Sequence, residues 1–261
     1  VRIHDGAYGT LLQHHLHGDE TVDDLVLRRP DLVRDSHRAY LDSGARAIQT
    51  NTFLVHLRGS ARRRRALREA ALACARDAAE LAGLTEPVEV FATIGPAGDR
   101  PRDHWEAIEQ VLESGVRTIQ FETVTTGAAA AAIIDAWSEV AAGVDDAEVL
   151  LGCSVDPRAP TWVDAISAAA PPTFVVGVNC CEGPVGIRGA LEAIIAERGT
   201  AWAMPSAGLP SAPAAAEGYP FADPARWAAA VAAEVDGLEL HALGGCCGTS
   251  PDSIAALDLP A

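Results

Sequence analysis

Short apolar runs alternate with longer, alanine-rich amphipathic stretches along the whole chain. Eight such runs read as strands: RIHDGA (2–7), ARAIQTN (45–51), VEVFATI (88–94), RTIQFET (117–123), EVLLGCSV (148–155), TFVVGVNC (173–180), TAWAMPS (200–206) and LELHALGG (238–245). One amphipathic segment separates most neighbouring pairs. The clearest helix covers about Ala61 to Ala82, where Leu67, Ala71, Cys74, Ala78 and Leu81 recur at helical spacing as one apolar stripe. Arg62–Arg65 open it and read as solvated, although basic charge opposes the dipole at a helix N-terminus. Asp103, Asp223 and Ser250 are predicted N-caps, with Pro224 and Pro251 at the first helical position. Eight strand–helix alternations in 261 residues predict a single-domain (β/α)8 TIM barrel over residues 1–261. A doubly wound open sheet shares this periodicity and is the alternative. The longest irregular stretch, Pro205–Pro224, has the length and composition of a lid or binding loop.

Composition narrows the function. Apolar residues make up 49% of the chain, enough for a sizeable core. No apolar run reaches the roughly 18 residues of a membrane span, and VRIHDGAYGT lacks the basic-then-apolar plan of a signal peptide. The expectation is a cytoplasmic protein with no membrane partner. The net charge of −16 argues against nucleic acid, which needs a basic surface. Every one of the 20 basic residues is arginine, a bias without a chemical reading.

The six cysteines are expected as free thiols or metal ligands in a reducing compartment. Cys246 and Cys247 stand side by side in LGGCCGTS. Adjacent Cα atoms lie about 3.8 Å apart, short of the roughly 4.4–6.8 Å of a disulfide, and the flanking glycines do not resemble core packing. Two soft thiolates in a flexible turn suit zinc, provided a third ligand comes from elsewhere. Barrel chemistry gathers at the C-terminal strand ends. There the chain places Asp5-Gly6, Thr50-Asn51-Thr52, Glu122-Thr123, Asn179-Cys180, Ser206 and Cys246-Cys247. Cys180 can thus join Cys246 and Cys247, and three thiolates with one open position describe a catalytic Zn2+ site. Strand alternation turns Cys181 away; a register slip of one would exchange it with Cys180.

The motifs DGAYGT, QTNTF, FETV, GVNC, SAGLP and GGCCGT occur in the order found in homocysteine S-methyltransferases, and the chain resembles that family over nearly its whole length. The resemblance implies a (β/α)8 barrel, zinc on Cys180, Cys246 and Cys247, and Asp5 and Glu122 against a substrate ammonium. Gly6 and Ala7 would line the amino-acid pocket. Ser206 stands where relatives akin to methionine synthase often carry an Asn able to take the fourth zinc position. Asn51 and Thr52 line the pocket or merely close their strand.

The implied reaction is methyl transfer to the zinc-activated thiol of L-homocysteine, giving methionine. The chain shows no folate, cobalamin or reactivation domain, so a small sulfonium, S-methylmethionine or S-adenosylmethionine, is the expected donor. A separate corrinoid protein is the alternative donor. A non-catalytic zinc-thiolate or redox-sensing module is the alternative of another class. Blander roles are a turn cap for Asp5, an ion pair for Glu122, core packing for Cys74 and Cys153, and a solvated surface for His14, His15 and His17.

Overall fold

The computed structural model describes residues 1–154, 163–209 and 218–257. Eight parallel strands follow in chain order: β1 (Arg2–Ile3), β2 (Ala47–Gln49), β3 (Glu89–Ile94), β4 (Thr118–Val124), β5 (Glu148–Cys153), β6 (Phe174–Asn179), β7 (Ala201–Met204) and β8 (Leu240–Leu243). Each pairs with its sequence neighbour from β2 to β8, and β1 pairs with β8. A bridge between His4 and Ala47, with Arg46 N donating to Ile3 O at 2.8 Å, joins β1 to β2 and completes the ring. The chain is a single-domain (β/α)8 TIM barrel, and the open-sheet alternative is set aside.

The outer helices are α1 (Tyr8–Leu12), α2 (Leu25–Arg28), α3 (Pro30–Asp42), α4 (Ala61–Ala82), α5 (Arg102–Glu113), α6 (Gly127–Val140), α7 (Val163–Ala169), α8 (Arg188–Arg198), α9 (Pro224–Val235) and α10 (Pro251–Ala255). Helix α4 has the predicted limits, with Ser60 capping its start and Gly83 closing it at φ 61°. Two details differ from expectation. Leu81 is 55% exposed, because the stripe of Leu67, Ala71, Cys74 and Ala78 leaves the core before the last turn. The arginines at its start are not simply solvated: Arg63 bonds Asp24, Arg64 bonds Glu106 and Arg65 bonds Glu113, the latter two on α5. Asp223 and Ser250 cap α9 and α10 with proline following, as predicted. Asp103 does not cap α5. It sits inside the first turn, where its carboxylate pairs with Arg100 and complements the helix dipole.

The main core lies between strands and helices, while Leu150, Trp202, Met204 and Ala242 form a separate cluster inside the barrel. Trp202 is fully buried and sets the neighbouring residue sizes. A Cβ at Gly177 would lie 2.2 Å from the Trp202 carbonyl oxygen and 2.5 Å from its ring, so only glycine fits. The remaining interior is polar, carrying Gln49, Thr93, Gln120, Glu122 and Asn179 toward the C-terminal mouth. Part of Pro205–Pro224 falls outside the described residues, so the lid reading is left as an expectation. Among the described residues, no helix is long and apolar enough to cross a membrane.

Candidate active site

Three thiols meet at the mouth. The Sγ atoms of Cys180, Cys246 and Cys247 all lie within 4.8 Å of one another, and Cys180 and Cys247 are 3.6 Å apart. Cys180 follows β6 with φ 48°, a left-handed conformation that a non-glycine residue rarely adopts. Thr123, beside Glu122, has φ 57°. Strain of this kind persists where surrounding structure imposes it, commonly at functional sites. Cys181 instead is buried, with its thiol directed at Asn179 O, so the register places Cys180 in the cluster.

The loop after β8 explains the glycines of LGGCCGTS. Cβ atoms at Gly244 and Gly245 would lie 2.7 Å from Asp5 O and 2.4 Å from Thr249 Oγ1, so the backbone passes too close to the segment after β1 and to the loop's own Thr249 for side chains. Cys246 N donates to Pro205 O, and Thr249 donates back to Cys246 O through both its amide and hydroxyl, which fixes the turn.

Among the described residues, no fourth cysteine, histidine or carboxylate joins the three thiols within that spacing. Tetrahedral zinc with Zn–S bonds of about 2.3 Å brings sulfur atoms to about 3.8 Å from one another. The observed spacing fits such an ion, as does the chemistry of three soft donors. Cys247 is driven to the thiolate by hydrogen bonds from Cys180 and Cys246, whose own thiols are held protonated.

Glu122 borders this cluster, with Oε2 3.9 Å from Cys246 Sγ. Its orientation is set from both sides. Gln120 Nε2 donates to Oε1 at 2.9 Å, and Asn179 Nδ2 donates to Oε2 at 3.0 Å. Asn179 is in turn held by Thr123 N, which donates to its Oδ1 at 3.0 Å. Burial lifts the Glu122 carboxyl to about 7, against these hydrogen bonds. Asp5 is fully buried, its Oδ2 accepting Gln49 N at 2.7 Å, while Oδ1 has no hydrogen-bond partner. Burial raises its pKa well above the usual carboxylate range, and the Glu122 charge adds to this.

A cavity of about 230 Å³ opens above the cluster, bounded by residues that include Ala7, Tyr8, Asn51, Arg58, Glu122 and all three cysteines. Of the predicted pocket residues, Ala7, Asn51 and Glu122 border it; Asn51 also ties the end of β2 to Val22 O through Nδ2. Asp5 and Gly6 are not in the wall: Asp5 is fully buried, and Thr249 and Tyr40 fill the space beside Gly6. Ser206 is also elsewhere. Its hydroxyl donates to Cys181 O at 2.6 Å and accepts from Gly208 N at 3.1 Å, so it braces the loop after β7. Cys74 and Cys153 are core residues, and His14, His15 and His17 are exposed. The sequence reading missed Gln120, Tyr8, Asp23 and Arg58. Only Gln120 left a signal, standing two residues before Glu122 and hence on the same strand face.

A parallel barrel that brings three convergent thiols and a buried carboxylate to its C-terminal mouth defines a thiol-rich candidate active site on a TIM barrel. The family profile described as homocysteine S-methyltransferase matches residues 2–259, and the chain belongs to this methyltransferase family. The methionine synthase of Mycobacterium tuberculosis is 30% identical over 97% of this chain, and that of Mycobacterium leprae is 29% identical. The chain spans about a quarter of the length of these curated relatives, 24% in each case. The homocysteine methyltransferase MmuM of Escherichia coli shares the fold. Its apo form has a TM-score of 0.70 at 23% identity, covering 98% of this chain and 94% of that one. Its metallated form has a TM-score of 0.72 at 21% identity, covering 98% and 95%.

Proposed function

We propose that this barrel transfers a methyl group from a small sulfonium donor, S-methylmethionine or S-adenosylmethionine, to the thiol of L-homocysteine, giving methionine with zinc as cofactor. The observation that carries the proposal is the thiol cluster of Cys180, Cys246 and Cys247 beside Glu122 in one cavity of a homocysteine S-methyltransferase barrel. These cysteines would hold the ion, which would lower the pKa of an incoming thiol so that it reacts as a thiolate near neutral pH.

The protein's own groups then do the positioning. Glu122, clamped by Gln120 and Asn179, offers a fixed acceptor for the α-ammonium. The arriving ammonium favours the ionised carboxylate against the cost of burial. Asp5 is the second carboxylate of the pair; it is fully buried and meets the ammonium end of the cavity through the lining residues Tyr8 and Gln49. The substrate sulfur attacks the methyl carbon in line; the new S–CH3 bond forms as the donor's S–CH3 bond breaks, and the donor departs with that electron pair as a neutral thioether. No general base is needed once the thiol has lost its proton. The apolar wall contributed by Ala7, Val22, Phe53 and Leu54 limits water around the developing bond.

The likeness to methionine synthases supports a second reading, in which a separate corrinoid protein brings the methyl group to the same thiol. The test is incubation of zinc-loaded protein with L-homocysteine and each sulfonium, following methionine by mass spectrometry, with Cys246→Ala as control. Methionine formed by the wild type and lost in the variant is the expected result. No turnover with either sulfonium would overturn the sulfonium reading and favour the corrinoid donor.

A further inference from the structure

Glu122 and the cysteines occupy one end of the cavity, and a different kind of group stands in its wall. Asp23 lies in the 3-10 turn Val22–Asp24 ahead of α2, and Arg58 ends the 3-10 turn Val55–Leu57 that follows β2. Arg58 Nε donates to Asp23 Oδ2 at 2.9 Å. Both residues border the cavity. The Asp23 side chain is only 6% exposed, and the Leu54 amide also bonds it, so it is a fixed support rather than a mobile surface partner. Asn51 ties the end of β2 to Val22 in the same turn, which makes this wall rigid.

The pair is asymmetric. Asp23 engages the guanidinium through Nε alone, and the two terminal nitrogens of Arg58 have no partner among the described residues. An arginine held in this way presents its end-on pair of N–H groups, the edge that matches a carboxylate with two parallel hydrogen bonds. Arg58 is the only basic side chain among the described residues that line the cavity, and its side chain is 25% exposed. Glu122 is only 6% exposed, whereas the thiol cluster runs from buried Cys246 to exposed Cys247. The buried end at Glu122 therefore suits the ammonium of the first substrate, and Arg58 stands apart from it in the wall, where its charge suits an anionic group of the second substrate.

We infer that Arg58, held by Asp23, is the anchor for a carboxylate on the methyl donor, so that the site selects a donor of the amino-acid sulfonium class. This rests on the proposed methyl transfer. The carboxylate and the transferable methyl group lie at opposite ends of such a donor. Anchoring the first at Arg58 leaves the second directed toward the cysteine end, away from the cation of the guanidinium.

The test compares S-methyl-L-methionine with its decarboxylated analogue, (3-aminopropyl)dimethylsulfonium, on the zinc-loaded wild type and on Arg58→Gln. Glutamine keeps one donor for the buried Asp23, which guards against misfolding, and removes the bidentate edge. Arg58→Lys retains the charge and is expected to restore part of the effect. The wild type should favour the carboxylate-bearing donor by about 10- to 100-fold in kcat/KM, the range of charge-assisted hydrogen bonds. In Arg58→Gln that ratio should fall toward one, with the KM for homocysteine within about twofold of the wild type. An unchanged donor ratio in the variant overturns the inference. So does a rise confined to the homocysteine KM, which would assign Arg58 to the first substrate. If the wild type turns over neither donor, the sulfonium-donor reading has failed. The inference is then decided by calorimetric binding of the same two sulfonium compounds, where loss of the carboxylate preference in Arg58→Gln supports it and equal binding by the wild type overturns it.

Discussion

His37 on α3 gives a quantitative test of the packing around the mouth. It is fully buried, its Nδ1 lies 2.7 Å from the hydroxyl of the cavity residue Tyr8, and its Nε2 has no partner. Burial alone lowers its pKa from 6.5 to about 3. In the unfolded chain the imidazole takes up a proton below about pH 6.5, whereas in the folded protein it stays neutral until about pH 3. The unfolded state therefore binds more protons throughout that window, and stability falls as pH falls. At pH 5 the gap from the unfolded pKa is about 1.5 units, and at about 1.36 kcal/mol per unit this site costs about 2 kcal/mol relative to pH 7.5. His37→Asn removes the titration. Urea unfolding of wild type and variant at pH 7.5 and pH 5.0 isolates the effect, because His4, Asp5 and Glu122 titrate in both proteins and cancel on subtraction. The variant is expected to be less stable at pH 7.5, having lost the bond to Tyr8, and to recover about 2 kcal/mol relative to wild type at pH 5.0. A difference between the two proteins that does not change with pH would refute the reasoning, since His37 would then titrate alike folded and unfolded.

Other positions yield simpler outcomes. Glu122→Gln should raise the homocysteine KM by about 10- to 100-fold while leaving zinc content unchanged, checked by steady-state kinetics and metal analysis. Gly177→Ala should cost about 2–3 kcal/mol, a fall in melting temperature of about 5–10 °C, because the new methyl meets the carbonyl and ring of the fully buried Trp202. Asp223→Ala should cost about 1 kcal/mol in urea unfolding, since its side chain accepts the Arg226 amide at the start of α9.

The barrel was legible because its parallel strands are buried on both faces and read as short, nearly continuous apolar runs. Their ends were not, as β1 shows: RIHDGA was read as a strand over 2–7, but regular pairing covers only Arg2–Ile3. His4 makes a single bridge, and Asp5 turns its carboxylate back to Gln49 N. The cysteine cluster could be read from sequence because barrel topology brings strand ends together, which makes Cys180, Cys246 and Cys247 neighbours despite their separation in the chain. The left-handed backbone at Cys180 left no trace in composition, since no glycine or asparagine marks it. The Asp23–Arg58 pair is 35 residues apart and joins two irregular turns, for which no periodicity exists. Ser206 was placed at the site by its position after β7, whereas a local hydrogen bond to Cys181 O draws its hydroxyl away from the cavity.

What the three cysteines bind decides the proposed chemistry most directly. X-ray absorption at the zinc edge, on protein loaded with one equivalent of zinc, should show three sulfur neighbours at about 2.3 Å, rising to four when L-homocysteine is added. Cys246→Ala should lose stoichiometric zinc. A sulfur count that does not change with homocysteine, or a wild-type protein that fails to retain zinc, would contradict the account.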